Sequence, residues 1–168
     1  MKQLVVYFSR VGENMVHGDL EIIKKGFTEI VAEKIVDFTG ADLFKLEPED
    51  PYPEDYEECA RRARSEDAAN AEVPFKRPLD NIDAYDVIYV GFPNWYRSYP
   101  RIVATFFRRY NFVGKTIMPF CTNEEGAFGI GELELRGQVK GAIIKSGYAV
   151  RGHDADNCDD SLKKWLGL

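Results

Sequence analysis

Three short stretches of this 168-residue chain contain residue types that can hold a ligand. The first, Ser9–Asn14, begins with a hydroxyl residue and leads toward a helix. The second, Gly91–Ser98, contains the adjacent aromatic residues Trp95 and Tyr96. The third, Thr122–Gly129, is polar and rich in glycine. Because each stretch follows an apolar run, we expect three ligand-binding loops at the ends of buried strands.

Each of these loops suits a different part of one ligand. The start of a helix offers free N–H groups and a partial positive charge to a phosphate. An adjacent Trp and Tyr offer a flat apolar surface to an aromatic ring. A glycine-rich loop lets backbone N–H groups approach ring carbonyls and nitrogens closely. Flavin mononucleotide (FMN), in which a spacer joins a phosphate to a large planar ring, meets all three requirements.

The elements that must position these loops alternate along the chain. Continuous apolar runs and alternating patterns predict five strands, and apolar residues at helical spacing predict the segments between them. The predicted strands are Leu4–Phe8, Ala41–Pro48, Asp86–Pro93, Lys115–Cys121 and Ala142–Val150. The predicted helices are Thr28–Phe38, Tyr56–Ala71, Pro100–Tyr110, a short helix or loop at Gly131–Gly141, and Asp156–Leu166.

Five strand–helix units in succession predict an α/β fold: a doubly wound parallel sheet with helices on both faces. Ligands of such sheets bind outside the carboxyl ends of the strands, where the three loops lie. Since the chain shows no internal repeat and no linker, we expect one domain over residues 1–168.

Composition and charge limit the classes of function. The net charge of −6 argues against nucleic acid or an anionic membrane surface as the main partner, because both attract Lys and Arg. An acidic surface is consistent with plain solubility or with docking to a basic protein. The three cysteines are far apart and the chain has only two histidines, so we predict no metal site and no catalytic side chain. The apolar start is too short for a signal peptide, and we expect a cytoplasmic protein.

Six blocks of the sequence together resemble the flavodoxin family, specifically a bacterial flavodoxin-like branch with a long insert in its phosphate loop. The blocks are YFSRVGEN (7–14), GFTE (26–29), TGADLFKLEPEDPYPEDY (39–56), YDVIYVGFPNWY (85–96), FVGKTIMPFCTNEEG (112–126) and AVRG (149–152). The resemblance implies a flavodoxin-like five-stranded sheet in the order 2-1-3-4-5 and FMN as the cofactor.

The resemblance also divides the phosphate loop into two halves. Ser9–Arg10 would form the first half and Gly26–Thr28 the second, with residues 11–25 as an excursion and the helix beginning near Thr28. The two hydroxyls and nearby N–H groups would hold the phosphate, and Arg10 would add positive charge. The implied cofactor-binding residues are Ser9, Arg10, Gly26, Phe27, Thr28, Pro93, Asn94, Trp95, Tyr96, Arg97, Thr122, Asn123, Gly126, Phe128 and Gly129.

Three functions remain open at this point. The first is an FMN-containing electron carrier that works between a reductase and an acceptor protein. The second is an FMN-dependent NAD(P)H:quinone reductase, or one acting on a similar small acceptor, in which Arg97 stabilises a reduced anion or binds a dinucleotide phosphate. The third is a flavin-free binding module, suggested by departures from the family pattern at Phe27, Arg97 and Ala127–Phe128. The protein is expected to be a monomer or a homodimer.

Overall fold

The computed structural model describes residues 1–129 and 131–168. The strands are β1 (Gln3–Tyr7), β2 (Gly12–Val16), β3 (Asp19–Ile23), β4 (Asp42–Lys45), β5 (Val87–Pro93), β6 (Thr116–Asn123), β7 (Ile143–Ile144) and β8 (Tyr148–Arg151). The helices are α1 (Phe27–Thr39), α2 (Tyr56–Ala68), α3 (Arg101–Arg109), α4 (Gly131–Gln138) and α5 (Asp159–Leu166), with a 3₁₀ helix at Gly152–Asn157.

The main sheet has the order β4-β1-β5-β6, and β7 and β8 follow one another along the outer edge of β6. All of its strand pairs are parallel. The chain passes from β1 to β4 on one side and then crosses to β5 on the other. The predicted α/β fold class and the order 2-1-3-4-5 are confirmed, and the switch in direction beside β1 is where ligands of such sheets bind.

Alternating residues of the strands divide the core into two layers. In β1, Leu4 and Val6 pack with α3 and α4, whereas Val5 and Tyr7 pack with α1 and α5. Because both faces of the sheet are covered, the central strands are continuously apolar rather than alternating. Among the helices of the described residues, none is both long and apolar enough to cross a membrane.

The fifth strand differs from the continuous strand predicted over Ala142–Val150. It is divided into β7 and β8, and one extra residue separates them relative to β6. Lys145 N–H donates to the carbonyl of Ile117 at 2.9 Å, so the next ladder bond would come from the N–H of residue 119. That residue is Pro119, which has no N–H, and the pairing is therefore interrupted.

The segment between the two halves of the predicted phosphate loop folds as an antiparallel hairpin of β2 and β3. Its two-residue turn, His17–Gly18, has positive φ angles of 52° and 82°, as hairpin turns matching the strand twist require. The base of the hairpin is fixed by Glu13 N–H, which donates to the Glu54 carbonyl at 2.9 Å. The insert is thus a defined structural element above the sheet edge.

Candidate functional site

A cavity of about 300 Å³ lies at the carboxyl ends of β1, β5 and β6. Residues from all three predicted loops line it, together with the hairpin and the start of α2. The predicted site residues in its wall are Ser9, Arg10, Phe27, Thr28, Pro93, Asn94, Trp95, Arg97, Thr122 and Asn123. The unpredicted ones are Asn14, Met15, Tyr56, Glu124, Glu125 and Gly152.

The start of α1 supplies the anion-binding end of this cavity. Ser9 Oγ accepts the N–H of Glu29 at 3.2 Å, so a residue of the first half of the loop caps the helix formed by the second half. The N–H groups of Phe27 and Thr28 have no acceptor among the described residues. Free N–H groups and the helix dipole make this end suitable for a phosphate.

Gly26 is required here by a close approach rather than by its backbone angles, because its φ is −67°. A Cβ at this position would lie 2.0 Å from Ser9 Oγ and 2.8 Å from the Arg10 carbonyl oxygen. The two halves of the loop therefore touch at a glycine. Gly26 lies behind the cavity wall and is not among the residues that line the cavity.

The Thr28 hydroxyl is joined to the third loop. Its Oγ1 lies 2.7 Å from the Oγ1 of Thr122, and both side chains are almost fully buried. This hydrogen bond ties α1 to the end of β6 beneath the cavity. One of the two hydroxyls donates to the other, so the hydrogen of the second hydroxyl is free to be donated to a ligand in the cavity.

Arg10 has a different immediate role from the one expected. Its guanidinium donates to the backbone carbonyls of Pro53 at 2.9 Å, Glu54 at 2.8 Å and Asp55 at 3.2 Å, and also to that of Glu13. The side chain thereby joins the base of the hairpin to the loop before α2. Its positive charge remains at the cavity wall, and one of the two Nη1 hydrogens has no acceptor among the described residues.

Phe27 occupies the position where the family pattern has Asn, and its ring packs against Gly152. A Cβ on Gly152 would lie 2.3 Å from a ring carbon of Phe27. The aromatic ring is thus accommodated by the start of the 3₁₀ helix and does not fill the cavity. Its backbone N–H remains at the helix start, where it can donate to an anion whatever the side chain.

Two asparagines connect the second and third loops. Asn94 donates from Nδ2 to the Ala127 carbonyl at 3.0 Å, and its backbone N–H donates to the Thr122 carbonyl at 3.0 Å. Asn123 Oδ1 accepts the N–H of Ala127 at 3.2 Å and also that of Gly126. Asn94 Oδ1 is buried and has no donor within the described part of the chain. A buried acceptor without a donor favours a ligand N–H at this wall.

Trp95 forms an aromatic wall that is held in place from behind. Its ring packs edge-on against Phe8 and Tyr52, with centroid separations of 5.3 Å and 5.1 Å. Its backbone exchanges two hydrogen bonds with Ser98, of 2.8 Å and 3.0 Å, which closes a tight turn. The ring orientation is therefore determined before any ligand binds.

Five predicted residues lie outside the cavity lining. They are Gly26, Tyr96, Gly126, Phe128 and Gly129. Tyr96 and Phe128, which the resemblance implies as flavin contacts, are directed toward other parts of the protein. Tyr96 points toward α2, where its hydroxyl donates to the Ala60 carbonyl at 2.8 Å. Phe128 instead packs edge-on against Phe92.

The hairpin tip reaches across to the third loop and the 3₁₀ helix. Gly18 N–H donates to Glu124 Oε2 at 3.0 Å, and the rings of His17 and His153 stack with their centroids 3.9 Å apart. His153 Nδ1 lies 3.8 Å from Glu124 Oε1. These contacts place Asn14 in the cavity wall. We call this set of contacts, formed by His17, Gly18, Glu124 and His153, the hairpin clasp.

We predict that Glu124→Ala opens the hairpin clasp. The Gly18 N–H loses its acceptor and His153 loses one of its two acidic neighbours, so we expect at least about tenfold faster amide exchange over residues 12–23, the equivalent of about 1.4 kcal/mol. Hydrogen exchange followed by mass spectrometry measures this. Glu125→Ala is the matched control, since Glu125 lines the same wall without contacting the tip. Equal exchange in the two variants would contradict the clasp.

Burial favours the neutral form of two ionisable groups next to the cavity, the Cys121 thiol and the Tyr7 phenol. Burial raises the pKa of the Cys121 thiol to about 12, so it carries no thiolate near neutral pH. Burial and the neighbouring Glu29 carboxylate raise the pKa of the Tyr7 phenol, which donates to Glu29 Oε1 at 3.0 Å. Lys45 also contacts this carboxylate, at 3.2 Å. The negative charge of Glu29 is thereby directed away from the anion-binding end.

The residues present fit FMN. The helix start with free N–H groups suits the phosphate, and the Trp95 wall suits the ring. The unpartnered Asn94 Oδ1 suits a ring N–H. The volume of about 300 Å³ is at the lower limit of ordinary ligand cavities. This match rests on the Asn94 Oδ1 acceptor and on the N–H groups at the start of α1, for which the described residues offer no hydrogen-bond partner.

Comparison with known sequences agrees with this geometry. A sequence model described as flavodoxin matches residues 21–167, which is most of the chain. A search of curated proteins found no significant match.

Solved structures show the same architecture. A protein from Bacteroides uniformis ATCC 8492, named as a candidate flavoprotein, is 26% identical with a TM-score of 0.78, over 99% of this chain and 98% of that one. A flavoprotein from Lactobacillus acidophilus NCFM in complex with FMN is 19% identical, with a TM-score of 0.65 and 98% of both chains covered. An NADPH-quinone reductase from P. pentosaceus is 11% identical, with a TM-score of 0.51 over 99% of this chain and 94% of that one.

Proposed function

Because this chain belongs to the flavodoxin family, we propose that it is an FMN-containing electron carrier that exchanges electrons with a partner protein. FMN is the cofactor of this family, and when bound it supplies the redox chemistry, while the protein supplies binding and electrostatics. The family assignment and the free acceptor and donors of the cavity argue against the flavin-free binding module.

The size of the cavity is the observation that carries the choice of a carrier. Hydride transfer from a nicotinamide requires a second planar ring stacked at about 3–3.5 Å on the flavin, within the same site. A volume of about 300 Å³ matches one compact ligand, and two stacked rings need more space. A carrier needs only an accessible edge of the ring and no room for a second ring stacked on it.

Charged residues in the wall influence the cofactor in opposite directions. Glu124 and Glu125 oppose the accumulation of negative charge on the reduced cofactor, which lowers its reduction potential. Arg97 favours such charge and raises the potential. Arg10 also lies in the wall, so the two acidic residues there are matched by two arginines.

The proposal is tested with purified protein that is mixed with FMN and desalted. We expect retention of one FMN per chain, reduction by dithionite and reoxidation by ferric cytochrome c. With NADH or NADPH and menadione we expect turnover below about 0.1 s⁻¹, compared with a median of about 10 s⁻¹ for enzymes. Sustained turnover near that median would instead assign the quinone reductase activity. Loss of FMN on desalting would overturn both functions.

A further inference from the structure

Three exposed arginines without an acidic partner lie on α2 and in the loop that follows β5. Arg61 and Arg64 are on the exposed side of α2, and Arg97 is exposed at the cavity wall. None of the three forms an ion pair within residues 1–129 and 131–168. In contrast, Arg62 is bound to Glu66 at 2.8 Å. Three free cations in one area are notable in a protein with a net charge of −6.

Tyr96 joins these arginines into one surface. Its hydroxyl donates to the Ala60 carbonyl of α2, next to Arg61 in the chain. The Arg64 guanidinium carbon lies 5.8 Å from the centre of the Tyr96 ring, which is cation–π distance. The Tyr96 side chain is still 46% exposed. We call the surface formed by Arg61, Arg64, Tyr96 and Arg97 the arginine patch.

The backbone beneath the arginine patch is strained. Tyr96 and Arg97 form the centre of the tight turn between Trp95 and Ser98, with φ angles of 51° and 65°. Two-residue turns of this kind favour Asn and Gly, and left-handed backbone costs other residues about 1 kcal/mol or more each. Folding alone would favour glycine here. A Tyr and an Arg in place of glycine indicate that their exposed side chains have a use.

The shape of the arginine patch favours a protein over a small molecule. The hollow beside Tyr96, between α2 and the start of α3, has a volume of only about 10 Å³. Small-molecule sites are concave and some thirty times larger or more. Protein interfaces, however, are enriched in Tyr and Arg on flat surfaces. The patch therefore lacks a pocket but has the composition of a docking surface.

The surrounding charges define the partner. The exposed acidic residues of α2 lie near its two ends, at Glu57 and Glu58 in the first turn and Asp67 in the last. Arg61 and Arg64 make the middle of its exposed side positive, while Glu66 and Asp67 line the hollow on the other side of Tyr96. Across the cavity, Glu124 and Glu125 make the opposite rim negative. A partner with carboxylates at its contact surface is attracted to only one side of the cavity.

We propose that the arginine patch is the docking surface for an acidic protein that exchanges electrons with this one. This inference rests on the proposed carrier function and specifies its partner. The overall negative charge predicts a basic partner, but the patch itself presents three exposed arginines that no acidic side chain of the described residues neutralises. Arg97 belongs both to the patch and to the cavity wall, so docking here brings the partner's redox centre next to the cofactor.

The test compares two forms of cytochrome c that contain the same haem but carry opposite surface charge. Protein loaded with FMN and reduced by dithionite is mixed in a stopped-flow instrument with native cytochrome c, which is basic, or with fully succinylated cytochrome c, which is acidic. Each ferric haem accepts one electron. The test variant is Arg61→Glu/Arg64→Glu. The matched control is Arg108→Glu/Arg109→Glu, which makes the same charge change at the far end of α3.

We expect the test variant to reduce succinylated cytochrome c at least about tenfold more slowly at low ionic strength, and the control to stay within about twofold. The difference should disappear as salt increases. Equal effects of the two variants would overturn the proposal, as would an equal slowing of the small anion ferricyanide. If the parent protein retains no FMN or reduces neither cytochrome, the carrier function itself fails, which is a distinct result.

Discussion

Replacing Ser9 by Asp should weaken FMN binding by about 100-fold or more while the fold stays intact. The new carboxylate would lie at the start of α1, where Ser9 Oγ now accepts the N–H of Glu29 at 3.2 Å. Two like charges about 4 Å apart near a protein surface repel by about 4 kcal/mol, which exceeds the 2.8 kcal/mol of a 100-fold change. The same carboxylate interacts favourably with the helix dipole, by about 0.3–1 kcal/mol, so the apoprotein should not lose stability.

Two comparisons isolate the phosphate. Ser9→Asn has the size of Asp without its charge, so the difference between the two variants measures the electrostatic part. Riboflavin, which lacks the phosphate, should bind Ser9→Asp and Ser9→Asn with affinities within about threefold of each other. Fluorescence titration of both ligands provides the dissociation constants. FMN affinities that also agree within threefold between the two variants would place the phosphate away from α1.

Replacing Gly91 by Ala should reduce the free energy of unfolding by about 3 kcal/mol, the upper part of the range for overpacked cores. Gly91 lies in β5 opposite Phe120 of β6, and a Cβ would lie 2.1 Å from the end of the Phe120 ring. Phe120 is fully buried, so the ring has no free space to enter. Urea denaturation followed by far-UV circular dichroism measures the change.

Gly137→Ala provides the control for this prediction. Gly137 lies in α4 with no atom near an added Cβ, and alanine there should stabilise the helix by up to about 1 kcal/mol. The double variant Gly91→Ala/Phe120→Leu should lose less than the sum of its single changes, because shortening the ring removes the clash. Additive losses in the double variant would show that the ring contact is not the cause.

The sequence alone determined the fold class and the end of the sheet at which the site lies. The apolar runs that became β1, β5 and β6 bury side chains on both faces, and this pattern is a local property of the chain. The loops that follow them must meet at one edge in any parallel sheet. Ten of the predicted residues accordingly line the cavity.

Pro119 is visible in the sequence, but its effect on the last strand depends on which residue it pairs with. A proline in a strand removes one donor, and this is visible in the sequence. Only the register places the missing N–H opposite Lys145, where it divides the last strand into β7 and β8. The prediction of one continuous strand was wrong because apolar character does not specify hydrogen-bond partners.

The details of the site were decided by contacts between segments far apart in the chain. Tyr96 points away from the cavity because the turn between Trp95 and Ser98 directs it toward α2. Glu124 belongs to the site because the hairpin tip, 106 residues earlier, donates to it. Such contacts follow from how separate loops pack together. Burial pattern and residue type determine which segments meet, but only the packed structure determines which atoms touch.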